Sequence, residues 1–184
     1  MKDLFTPRLQ LIPLTPADLE ELIAGGSDVT SFRGLRLASG LIEPPVERAI
    51  PIKLEKMAAA PIHQHPWWTY WLMVLRAERR GAGLVGFKGV PSEAGEVEIG
   101  YGVAPACRGR GLATEAAARL VEWAFSDPIC RAVIAHVEGP DNRASERVLE
   151  KLGMRRVRRD EGVSDWRVDA AQLVATRATK RPGS

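Results

Sequence analysis

The stretch Arg108-Gly109-Arg110-Gly111-Leu112-Ala113 constrains the fold more than any other because of what flanks it. Residues 97–103 before it alternate in the manner of a half-buried strand, and residues 112–125 after it are Ala-rich with apolar positions at helical spacing. The pattern predicts a strand, a tight turn and the start of a helix. A helix start presents backbone N–H groups without intrahelical partners and a partial positive charge, so an anion belongs there. Gly109 and Gly111 let backbone approach a phosphate closely, and Arg108 and Arg110 add donors and charge. Two other phosphate loops fail on spacing. Leu112-Ala113 stands where a P-loop needs Lys-Ser/Thr, and the three-glycine dinucleotide pattern is absent.

A second block, residues 142–154, runs Asn142-Arg-Ala-Ser145-Glu-Arg-Val-Leu-Glu-Lys-Leu-Gly153-Met154. Together the two blocks resemble the GNAT superfamily of N-acetyltransferases: Arg108, Gly111 and Ala113 match its Arg/Gln-x-x-Gly-x-Gly/Ala pyrophosphate loop, and residues 142–154 its later Asn-containing helix. The Asn-x-x-Ser form is similar to the branch of the ribosomal-protein-alanine N-acetyltransferases. The resemblance implies an α/β (α+β) fold with a mixed, mostly antiparallel twisted sheet, a central parallel splayed strand pair and flanking helices. It also implies acetyl-CoA as cofactor and a homodimer.

The 184 residues, 45% of them apolar, suit one N-acetyltransferase domain over 1–184, with 175–184 a frayed tail. The net charge of +3 is modest, and only Arg155, Arg156, Arg158 and Arg159 approach a basic stripe. They alternate about Val157 in an expected strand, so a solvated edge or a rim facing CoA fits them better than a nucleic-acid surface. Cys107 and Cys130 form neither a metal-ligand spacing nor a disulfide framework. Residues 1–5 carry charge and no long apolar run, so neither signal peptide nor membrane span is expected, and a cytoplasmic location is. His63 and His65 lack a third ligand, so no metal is expected.

Along the chain, residues 8–14 read as a strand, and Thr15-Pro16-Ala17-Asp18 as a capped helix start ending near Gly25-Gly26. Prolines 44, 45, 51, 61 and 66 divide residues 27–66 into short pieces, with 53–60 the best helical candidate. Residues 68–76 and 84–90 are expected as antiparallel strands joined through a loop over 79–83. After the phosphate loop come a helix, a strand at 132–138, a turn at 139–141, a second helix with Ala144, Val148, Leu149 and Leu152 inward, and a hairpin turning near Glu161-Gly162.

Transfer of acetyl from a thioester to an amine requires a neutral amine, a route for its proton, donors to the oxyanion and a proton for the thiolate. Alternation places Glu98 on one face of its strand, with Ile99, Tyr101 and Val103 on the other. The resemblance implies Glu98 as the acid that conducts the amine proton; a solvated or paired carboxylate is the alternative. It implies pantetheine pairing along the strand at Ile99, Tyr101 and Val103, and phosphate binding by Arg108, Gly109, Arg110, Gly111, Leu112 and Ala113. Asn142 would bond pantetheine or cap its helix, and Arg147 would reach a cofactor phosphate. Ser145 stands where the alanine branch protonates the thiolate, while Leu149 occupies the position of the more widespread tyrosine acid. The acceptor expected is a primary amine, of a peptide N-terminus or a small molecule. A non-catalytic CoA-binding regulatory domain and a nucleic-acid binder are the alternatives.

Overall fold

A computed structural model describes residues 1–26, 29–139, 142–160 and 162–172. The elements in order are β1 (Leu4–Phe5), β2 (Leu9–Pro13), α1 (Pro16–Gly25), β3 (Ser31–Phe32), β4 (Leu35–Leu37), α2 (Pro44–Ala59), α3 (His65–Trp68), β5 (Tyr70–Leu75), β6 (Arg80–Phe87), β7 (Glu96–Val103), α4 (Leu112–Ala124), β8 (Ala132–Glu138), α5 (Arg143–Lys151), β9 (Arg155–Asp160) and β10 (Val163–Asp169). The sheet runs β1-β2-β5-β6-β7-β8-β10-β9, with β4 also paired to β6 and β3 to β4. Its main path is antiparallel except at β7–β8; β4 also lies parallel to β6 over two residue pairs. The expected mixed fold is present. The tail at 175–184, the turn at Pro140-Asp141 and Glu161 lie outside the described residues.

One ladder determines the shape of the centre. β7 and β8 pair only at Glu96↔Ala132, Val97↔Val133 and Glu98↔Ile134. Beyond that point β7 follows β6 to Val103 and β8 follows β10 to Glu138, so the sheet opens between them. α4 covers one face, burying Ala116, Ala117, Leu120, Val121 and Ala124. Trp123 of α4 meets Trp67 with ring centroids 4.6 Å apart and Trp71 at 5.5 Å, so these tryptophans are core.

Three local expectations change. The prolines do not break residues 44–59, which form one 16-residue helix. Pro44 and Pro45 occupy the first turn, where an N–H has no helical partner, and Pro51 is tolerated on the exposed side of α2. Strand β6 begins at Arg80 rather than Leu84, because Arg79 takes the turn at φ 47° and Gly81 and Gly83 admit close neighbours. A Cβ on Gly83 would stand 2.3 Å from the Gly102 carbonyl oxygen. Ala144 is exposed, not inward, while Leu149 and Leu152 are buried as expected.

The other face carries α1 and α2. Arg33-Gly34, both at positive φ, turn the β3–β4 hairpin, and the Arg33 guanidinium grips the buried Asp18 carboxylate at 2.7 and 2.8 Å. Lys53 anchors α2 to the sheet: its Nζ donates to the carbonyls of Trp68 (2.9 Å) and Phe87 (2.8 Å) and lies 4.4 Å from the Tyr70 ring centroid. Burial, helped by the charge of Lys88, lowers the Lys53 pKa to about 8.

Gly83→Ala is expected to cost about 1–3 kcal/mol in urea unfolding through overpacking. Gly100→Ala, whose Cβ would meet nothing within 4 Å, serves as the near-silent comparison. Equal stabilities would show that β6 and β7 separate freely. Lys53 gives a pH signature of opposite sense to a salt bridge. Its folded pKa lies below the ordinary 10.5, so the unfolded chain holds the proton more tightly between about pH 8 and 10.5, and stability rises with pH across that window. The rise is on the order of 3 kcal/mol. Read as wild type minus Lys53→Met, it excludes the opposing contribution of Cys130, whose thiol burial pushes up to about 11. A flat difference would place the Lys53 ammonium in water.

Candidate functional site

The turn predicted at 108–111 is built from glycine geometry. Gly109 and Gly111 sit at φ 74° and 75°, where a side chain is strained, and α4 starts at Leu112 with Gly111 as its cap residue. Gly111 has no side chain with which to cap the helix. The first-turn residues Leu112, Ala113 and Thr114 therefore border a cleft of about 630 Å³. Its other walls come from Tyr101, Gly102 and Val103 of β7 and from Asn142, Ser145, Arg147 and Lys151 of the α5 segment. The cradle has room for a phosphorylated group. A Cβ at Gly109 would meet nothing within 4 Å, and one at Gly111 only an Arg8 nitrogen at 3.7 Å.

The loop is held from behind by an acid in the first turn of α4. Glu115 accepts from the Thr6 hydroxyl (2.5 Å), the Arg8 backbone N–H (2.9 Å) and Arg8 Nε (2.6 Å), while Arg8 Nη1 donates to the Arg110 carbonyl at 2.9 Å. Burial opposes the Glu115 charge, but the bonds from Thr6 and Arg8 outweigh it and hold the carboxyl below its usual range. Arg8 thus braces the loop across a sequence gap of about one hundred residues, which no local pattern announces. The Arg110 side chain turns away from the cleft to Glu78, 2.9 Å off.

Across the opening, the Tyr101 hydroxyl donates to the Ser145 carbonyl at 3.2 Å, and burial raises its pKa. The phenol therefore stays protonated and ties β7 to α5 where the two parallel strands have parted. Asn142 caps α5, its Oδ1 accepting from the Ser145 N–H at 3.4 Å. Ile99 is buried opposite Phe87 and does not border the cleft, whereas Tyr101 and Val103 do. Leu149, at the tyrosine position, is a core residue 1% exposed.

Glu98 lies on the other face of β7, the side of α1 and α2. It pairs with Lys88 through Oε1, and its Oε2 is 3.8 Å from His136 Nε2. Gly100 and Gly102 continue that face with open space above them. Tyr101 and Val103, which line the cleft, and Glu98 thus lie on opposite surfaces of one strand, beside the opening. The arginines of β9 form an exposed outer edge, three of them in ion pairs with Asp169, Glu146 and Asp160. Among the described residues, no group of three or more His, Cys, Asp or Glu side chains is placed to hold a metal, and no helix is long and apolar enough to cross a membrane.

One contact runs against the expectation of a waiting arginine. Arg108 Nε donates to the Val103 carbonyl (2.9 Å), and its Nη2 bonds Glu43 at 2.5 Å, placing a carboxylate on the cleft wall. A phosphate bound in the cleft would compete with Glu43 for that guanidinium. Both side chains are about half exposed, so the pair is worth roughly 0.5–1 kcal/mol. Glu43→Gln is accordingly expected to tighten CoA binding about two- to fivefold in a calorimetric titration. Weaker binding would show that Glu43 presents Arg108 to the ligand instead of occupying it.

Comparison with known proteins agrees with this architecture. The profile of the acetyltransferase (GNAT) domain matches residues 8–155. Two Bacillus subtilis (strain 168) proteins described as uncharacterized N-acetyltransferases are similar. YjdG is 37% identical over 83 residues, 45% of this chain and 49% of its own length; YoaA is 29% identical over 153 residues, 82% and 81% of the two chains. The chain thus spans about half the length of the first of these relatives. Among solved structures, a GNAT-family acetyltransferase from Bacillus anthracis superposes with a TM-score of 0.61 at 21% identity, covering 92% of this chain and 99% of that one. A spermidine N-acetyltransferase from Vibrio cholerae does so at 0.64 and 16%, covering 93% and 99%. At these identities the superpositions speak for the fold alone. With a family profile running from β2 through α5, the glycine loop included, the chain belongs to the GNAT acetyltransferase family and carries its acyltransferase domain.

Proposed function

We propose that the protein transfers an acetyl group from acetyl-CoA to a primary amine, either the α-amine of a peptide N-terminus or that of a small molecule, by direct attack in a ternary complex. The observation that carries this reading is the meeting of the glycine cradle at the start of α4 with the opening between β7 and β8 in one cleft. Acetyl-CoA, when bound, supplies an activated thioester. Gly109, Gly111 and the first-turn N–H groups of α4 would hold its pyrophosphate, with Arg108, Arg147 and Lys151 along the rim. Unpaired backbone of β7 beyond Glu98 is suited to an amide-bearing arm lying alongside it.

The chain's own groups divide the remaining work. Glu98 receives the amine proton on the acceptor face. Ser145 borders the cleft and is the side chain assigned to protonate the departing thiolate, since Leu149 is committed to the core. Direct transfer fits the burial of Cys107, which borders the cleft but exposes none of its surface for acylation. An α-amine suits such a site. With a reference pKa near 8, about one α-amine in ten is neutral at pH 7, against fewer than about one lysine in a thousand. A homodimer belongs to this reading, but not through paired β9 edges, where arginines would face arginines.

The test is CoA release monitored with a thiol reagent, using acetyl-CoA and a panel of peptides with free N-termini and small primary amines, alongside a Gly111→Asp variant. Acetyl-dependent turnover by wild type and its loss in the variant, whose carboxylate would stand against the pyrophosphate, are expected. Ser145→Ala should lower turnover at least about tenfold with little change in acetyl-CoA affinity, the scale of a lost general acid. Tight acetyl-CoA binding with no turnover on any amine would instead assign a CoA-binding regulatory role.

A further inference from the structure

The acceptor face holds a cluster that sequence reading missed. Glu98 of β7, His136 of β8 and Asp165 of β10 stand side by side on three adjacent strands, since Ile134 pairs with Glu98 and His136 pairs with Asp165. His136 Nδ1 is 2.5 Å from Asp165 Oδ1, and its Nε2 is 3.8 Å from Glu98 Oε2. The ring lies two residues beyond the last β7–β8 pair, at the mouth of the opening, with its side chain 41% exposed. Asp165 accepts, so Nδ1 carries the hydrogen and Nε2 is the nitrogen turned toward Glu98. Lys88 takes the other Glu98 oxygen, leaving Oε2 as the one that addresses the imidazole.

We propose that His136, positioned by Asp165, is the group through which the acceptor proton leaves Glu98 for solvent. This rests on the acetyl-transfer reading above. The proton passes from the acceptor ammonium nitrogen to a Glu98 oxygen, from Oε2 to Nε2 of neutral His136, and from the resulting imidazolium to bulk water. The amine keeps its electron pair for attack on the acetyl carbonyl. Asp165 stabilises the transient imidazolium through the Nδ1–H bond. A 3.8 Å separation is too long for a direct hydrogen bond, so the transfer requires one of the two side chains to rotate toward the other. The alternating geometry argues that the cluster serves this face: Val97, Ala135 and Trp166 on the same three strands are buried on the opposite side. The charged groups around His136 are Glu98 and Lys88 toward β7, Glu138 on its own strand, Asp165 and Arg167 on β10, and Arg158 paired across from Asp165. Arg167 is engaged by Glu96 and Asp169, and Arg158 by Asp160.

The chain has three histidines, so each ring can be followed separately by NMR. Glu98→Gln and Asp165→Asn are each expected to displace the His136 ring signals, which lie beside both carboxylates, and to leave those of His63 and His65 in place. An unmoved His136, or one that answers to Asp165→Asn alone, overturns the coupling to Glu98. With an alanine-initiated peptide as acceptor, His136→Ala should lower kcat severalfold, shift the pH profile of kcat/KM and leave acetyl-CoA affinity unchanged, with added imidazole restoring rate. Unchanged kcat and pH profile overturn the proposal. Failure of every acceptor despite acetyl-CoA binding counts against the transfer reading, and the His136 ring signals then decide the coupling by themselves.

Discussion

The short β7–β8 ladder governs everything at the centre of the molecule. Three parallel residue pairs bring the strands together, and the pairing stops at Glu98 and Ile134. Had it continued, the unpaired backbone of residues 99–103 would be sealed and no passage would join the two faces of the sheet. Past that point each strand continues only with the partner on its other side: β7 pairs with β6 through Val103, and β8 pairs with β10 along its whole length. Tyr101 then bridges from β7 to the Ser145 carbonyl, satisfying its own hydroxyl while keeping α5 at a set distance.

The glycine loop depends on that opening and on a balance of charges around it. Its glycines supply conformation, but the position of the turn is set by Arg8 and Glu115, which join the β1–β2 turn, α4 and the Arg110 carbonyl. Loop arginines do not simply await a ligand. Arg110 is held by Glu78 and Arg108 by Glu43, so a polyphosphate bound as proposed would have to exchange one partner for another. Glu43 immediately precedes α2, a helix on the Glu98 side of the sheet, so such an exchange would bear on both faces of the sheet.

Local signals in the sequence were strongest where one element fixes its own geometry. The glycine loop, the apolar stripe of α4, the strand at 132–138 and the cap of α5 by Asn142 all depend on residues within a few positions of one another, and these were legible. Residues 27–66 were not. A Pro at position 51 argues against a helix unless its missing N–H falls on a tolerant side, and that depends on how α2 packs. Gly81 and Gly83 read as a turn but lie in a strand, since their smallness answers to neighbours on other chain segments. Arg8, Glu43 and His136 were missed for the same reason: each finds its partner 29 or more positions away, through strand register or a loop crossing that periodicity does not encode.

Register is therefore the quantity that turns this fold into a site. Along β7 Tyr101 and Val103 face the cleft at the start of α4 while Glu98 faces the opposite side, and a slip of one residue would exchange the two sets. Gly83 resists such a slip, since the Gly102 carbonyl occupies the place where its Cβ would stand. In a shifted register any residue brought into that position would need equal smallness, and of the β6 segment only glycines supply it. The contact that fixes register carries no chemistry of its own, yet the separation of Glu98 from Tyr101 across a single strand follows from it.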